Sequence, residues 1–95
     1  MILDVFNKNK KSDYEIYMHE ANMYYNKAIQ LDSDNKFNES KEYFKKAIEL
    51  YIKSAEIVNE KNLKQQAIAK YKESKNMYYR VICKIMKKNK IIKEK

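Results

Sequence analysis

The chain has 95 residues, a net charge of +8, neither glycine nor proline, and a single cysteine and a single histidine. That length suits one domain with a modest core. Without Gly or Pro there is little to build tight hairpins, bulges or a phosphate-cradling loop. Cys83 and His19, each alone, exclude an internal disulfide and a Cys/His zinc site, so the composition predicts an all-α protein with no metal and no cofactor.

The charge is unevenly placed. Residues 1–60 carry nine Lys against 11 acids, a balance of −2, whereas residues 61–95 carry 11 Lys and Arg80 against Glu73 and Glu94, a balance of +10. The positive field therefore belongs to the last third. No apolar run is long enough to span a bilayer, and Met1 to Phe6 is too short and too soon followed by charge to be a secretory signal. A lone cysteine fits a reducing, intracellular setting.

In chain order, residues 1–12 read as a flexible tail, a short apolar hexapeptide followed by the polar run Asn7 to Lys11. Ser12-Asp13-Tyr14-Glu15 has the pattern of a capping box, with the Ser12 hydroxyl and the Glu15 carboxylate each serving the other's amide. Tyr14, Tyr17, Met18, Ala21, Tyr24, Tyr25, Ala28 and Ile29 then recur at helical spacing, which predicts helix 1 over 13–31. Polar residues 32–35 end it. With no glycine at hand, Asn35 is the residue best suited to a left-handed backbone, and Asn38 reads as the N-cap of the next helix.

Helix 2 is predicted over 38–58, with Phe37, Ser40, Phe44, Ala47, Ile48, Tyr51, Ala55 and Val58 along one stripe. Small residues alternating with rings on that stripe permit close approach of a neighbour. Asn62 with Gln65 repeats the capping pattern and opens helix 3, predicted over 63–88. Its central stripe is Ala67, Tyr71, Ser74, Tyr78, Ile82 and Ile85, with shoulders of Ile68, Tyr79 and Met86 on one side and Met77 and Val81 on the other. A helix apolar over so much of its circumference is gripped by two neighbours or has surface left for a visitor. Residues 89–95 read as a basic tail.

Three helices with short connections predict an antiparallel up-down-up three-helix bundle. Cys83 is expected to be half-buried and His19 solvated, and Glu49 to pair with Lys53 along helix 2. No catalytic constellation is recognisable, so the domain is expected not to be an enzyme.

The order Ala21…Lys27-Ala28-Ile29-x-x-Asp32, then Asn35-Lys36-Phe37-Asn38-Glu39-Ser40, then Tyr43-Phe44-x-x-Ala47-Ile48-Glu49…Ile52…Ala55, resembles the MIT (microtubule interacting and transport) domain over about residues 14–88. The turn and small-aromatic pattern is shared with tetratricopeptide repeats. A second repeat, however, would need a break near 69–74, and Ala69 to Ser74 lies inside the third helix.

The resemblance implies a protein-interaction adaptor that docks short C-terminal tail motifs of ESCRT-III-type subunits. Such domains recruit a larger protein, commonly an AAA ATPase, for endosomal sorting or membrane remodelling. It also implies a monomeric domain, cytoplasmic and peripheral to endosomal membranes. In the best-known mode a peptide helix lies between helices 2 and 3. Carried onto this chain, the groove residues are Ile48, Ile52 and Ala55 from helix 2 and Ala67, Lys70, Tyr71, Ser74, Met77, Tyr78 and Val81 from helix 3. Of these, Met77 and Val81 are expected to be peptide contacts that tolerate Asp without loss of fold. The basic last third suits an acidic peptide, the groove between helices 1 and 3, or an anionic lipid surface better than a basic peptide.

Two other readings remain open. One is a tetratricopeptide-like helical scaffold. The other is a basic helical module binding nucleic acid or anionic membrane through Lys70, Lys72, Lys75, Arg80, Lys84, Lys87 and Lys88, although these residues do not share one narrow stripe and no aromatic-basic recognition motif accompanies them. The start at Met1 and the lysine-rich end suggest an N-terminal piece of a longer protein.

Overall fold

The computed structural model describes the backbone of residues 2–94 and the side chains of residues 12–89. It contains three helices, α1 (Ile2–Ser33), α2 (Phe37–Ile57) and α3 (Lys61–Glu94), and no strand among the described residues. α1 packs on α2 and α2 on α3, giving the expected all-α three-helix bundle.

All three expected helix starts move, α2 by a single residue. The Ser12-Glu15 box lies within α1, because no helix breaker separates it from the residues upstream. α3 starts at Lys61 rather than Leu63, with the Lys64 amide already bonded to the Glu60 carbonyl at 3.0 Å, so Asn62 sits in the first turn. Residues 2–12 and 89–94, expected as tails, continue the backbone of α1 and α3, with the side chains of 2–11 and 90–94 outside the described residues.

The α1–α2 corner follows from the lack of glycine. Asn35 takes φ 64, the left-handed conformation that Asn tolerates better than most residues. The Lys36 amide then reaches the Leu31 carbonyl at 2.9 Å and the Asn35 amide reaches the Asp32 carbonyl at 3.0 Å, the two bonds of a Schellman ending. Because that motif turns the chain within three residues, α2 begins at Phe37 with Lys36 at the N-cap position. Asn38 does not cap it; Glu39 in the first turn complements the helix dipole instead.

The core is a stack of three layers. Tyr14, Val58 and Ala67 form the first, Ala21, Ala47 and Tyr51 the second, and Ala28, Phe44 and Val81 the third. Each helix advances seven residues per layer, about 10 Å at the usual rise. α1 numbers rise through the layers while α2 numbers fall and α3 numbers rise again, which fixes the up-down-up order. Ser74, midway between Ala67 and Val81 and equally buried, belongs to the middle layer by this spacing.

That seven-residue register corrects the reading of α3. Its buried line is Ala67, Ser74 and Val81, all fully buried, rather than the line through Tyr71 and Tyr78, which are only half-buried. Val81 is thus core and not a shoulder, while Ile68, Tyr79 and Met86 on the opposite shoulder are exposed.

Candidate functional site

α1 and α3 both lean on α2, and across the gap between them the links are long side chains. The Tyr14 hydroxyl donates to the Leu63 carbonyl at 3.1 Å. The Lys70 ammonium lies 4.4 Å from the centre of the Tyr25 ring and donates to Glu73 at 3.2 Å, and Lys84 donates to Asp32 at 2.8 Å. Between these links the helices leave a cleft of about 620 Å³ lined by Met18, Asn22, Tyr25, Asn26, Gln66, Ala69 and Lys70.

Two tyrosines organise the polar groups of the cleft, Tyr25 in its lining and Tyr51 through its bond to Asn22. Tyr51, fully buried on α2, donates to the Asn22 side-chain oxygen. Burial pushes the Tyr25 hydroxyl up to about 12, helped by hydrogen bonding and charge from Glu73. Tyr51 is raised too, by burial first and then by the Glu73 charge. Glu73 is held below the usual carboxylate range by hydrogen bonding from Tyr25 and then from Lys70. Both hydroxyls therefore stay protonated at neutral pH and act as hydrogen-bond donors. The rim adds the amides of Asn22, Asn26 and Gln66, which can both donate to and accept from a peptide backbone.

The residues expected in a groove between α2 and α3 divide three ways. Ala67, Ser74 and Val81 are fully buried and offer nothing to a ligand. Lys70 turns toward α1, and Met77 packs against the Ala28, Phe44 and Val81 layer. Ile48, Ala55, Tyr71 and Tyr78 are half-buried, and Ile52 is exposed. Val81 therefore cannot tolerate Asp without loss of fold, since a carboxylate would be buried without a partner.

The basic residues divide as well. Lys72, Lys75, Arg80 and Lys87 are exposed on α3, Lys84 is tied to Asp32, and Lys88 lines a separate hollow of about 420 Å³ at the start of α2, with Phe37, Glu39 and Ile85. Lys53, expected to pair with Glu49, lies over the Tyr17 ring of α1 at 5.1 Å. Cys83 is exposed rather than half-buried. His19 is exposed.

Sequence reasoning missed most of the cleft. Met18, Asn22, Tyr25 and Asn26 recur at helical steps beside the buried stripe of α1, and asparagine is a poor residue for a helix interior. That combination was the available signal. Among the described residues no group of three His, Cys, Asp or Glu could hold a metal ion, and no helix is long and apolar enough to cross a membrane. Comparison of the chain with protein-family models, with curated proteins and with solved structures finds no match.

Proposed function

We propose that this chain is a protein-interaction adaptor of the MIT kind. It takes a short tail segment of an ESCRT-III-type subunit in the cleft between α1 and α3 and so recruits a larger protein, an AAA ATPase by the resemblance, to remodelling membranes. The observation that carries this reading is the cleft itself, apolar at Met18 and Ala69 and edged by amides. A short peptide needs both apolar anchors and backbone partners along its length. The resemblance in helices 1 and 2 supports the class of ligand, and the burial of Ala67, Ser74 and Val81 favours this cleft over the groove between α2 and α3.

The test is a titration with fluorescent ESCRT-III tail peptides, basic and acidic, across a salt series, with an oligonucleotide as control. Ala69, exposed on the cleft wall, is replaced by Arg. Ala69→Arg is expected to weaken peptide binding at least tenfold, roughly 1.4 kcal/mol, with helical content and melting temperature intact. Loss of binding in Ile52→Asp but not in Ala69→Arg would move the peptide to the other groove and overturn the cleft assignment. Steep salt-dependent oligonucleotide binding with no peptide response would overturn the adaptor reading.

A further inference from the structure

On the side of α3 away from the cleft, Ile68, Lys72, Lys75, Tyr79 and Met86 follow one another at steps of four, three, four and seven, which places them on one stripe of the helix. Ile68 is 37%, Tyr79 53% and Met86 64% exposed, and Lys72 and Lys75 between them are exposed too. Arg80 and Lys87, also exposed, lie about 100–120° further round the helix, on the side of Ala69. The only carboxylate among the described side chains of α3 is Glu73, and it is engaged on the cleft side by Lys70. The stripe thus combines apolar and cationic side chains, with no anion left free among the described side chains of its own helix to neutralise them.

The geometry points to this stripe as a contact surface for an anionic lipid bilayer, with α3 lying flat on the membrane. A headgroup layer offers phosphates and carboxylates to Lys72 and Lys75 and, just beneath, an apolar phase for Ile68, Tyr79 and Met86. Nucleic acid satisfies the cations but gives Ile68 and Met86 no apolar partner, which decides between the two. The surface lies on the opposite side of α3 from the cleft, so a membrane and a peptide can be engaged together.

The experiment is co-sedimentation of the whole chain with vesicles of phosphatidylcholine alone or with about 30% phosphatidylserine, a PS-rich surface. Binding is expected only to the phosphatidylserine vesicles. Lys72→Ala and Lys75→Ala should each lower the partition roughly fivefold, from about one kcal/mol per surface lysine, whereas Lys46→Ala, at the α1–α2 side over Tyr24 and Tyr43, should leave it unchanged. Tyr79→Ser with Met86→Ser should weaken binding without altering its salt dependence. Cys83, exposed beside the stripe, accepts an environment-sensitive fluorophore whose emission should shift to the blue on binding. Equal partition to both vesicles, indifference to Lys72 and Lys75, or no effect of the Tyr79 and Met86 pair overturns the proposal. So does an oligonucleotide or acidic peptide that displaces the chain while itself binding more tightly than the vesicles.

Discussion

Along α1 and α2 small residues face small ones. Ala21 packs with Ala47, and the helices approach so closely that the Ser40 hydroxyl, fully buried, donates to the Ala28 carbonyl at 2.8 Å. Along α2 and α3 large side chains of α2 stand over the small line of α3, Phe44 beside Val81 and Val58 beside Ala67. There the buried hydroxyl of Ser74 has no hydrogen-bond partner. The first seam is closely packed and polar-satisfied, the second is spaced by rings and carries an unpaired polar group. An unmet buried hydroxyl costs stability while a met one contributes little more than it cost to bury. α3 is therefore expected to be the more loosely held helix; it shares the cleft with α1 and carries the exposed stripe.

Phe44→Ala attacks both seams at once, because its ring meets α1 at Tyr25 in an edge contact of 5.6 Å and α3 at Val81. It should cost about 3–5 kcal/mol in urea unfolding, much of the roughly 5–10 kcal/mol available to a domain of this size. The serines test the contrast between the seams. Ser40→Ala should destabilise by about 0.5–1.5 kcal/mol, whereas Ser74→Ala should stabilise by about 1 kcal/mol through removal of an unmet hydroxyl. If both changes carry the same sign, the two seams are not different in kind. Hydrogen exchange gives the same comparison without mutation, with α3 amides expected to exchange faster than those at the centres of α1 and α2.

The cleft predicts a pH signature. Tyr25 is raised in the folded state to about 12, above the ordinary tyrosine value near 10, so folding favours its protonated form. That contribution is fully present below about pH 10 and is lost as the pH climbs through the folded value. An ultraviolet titration should show Tyr25 ionising about two units later than an exposed tyrosine, and Tyr25→Phe should remove that step. Glu73 runs the other way: its folded value is lowered, so its contribution holds above its unfolded value and fades as the pH falls through the folded one. With the side chain 52% exposed, that contribution is screened to a few tenths of a kcal/mol. A comparably small effect is expected of Asp32→Asn. It breaks a partly exposed pair with Lys84, should cost under about 1 kcal/mol, and should shrink further in high salt.

The helical class, the three-element order and the Asn35 corner were legible in the sequence. The absence of Gly and Pro, the apolar steps of three and four, and the shortage of residues that accept a left-handed backbone are local facts that need no partner to be read. Periodicity could place an apolar arc on α3 but not its centre, because Tyr71, Tyr78, Val81 and Met77 are all apolar enough to be core. Only the docking of α3 on α2, in register with Phe44, Tyr51 and Val58, chose the line through Ala67, Ser74 and Val81. The same choice turned Lys70 toward Tyr25 and left Ile68, Tyr79 and Met86 in solvent. Local chemistry set which segments are helices; the rotation of each helix about its own axis, and with it every surface a partner could meet, was decided by packing between residues far apart in the chain.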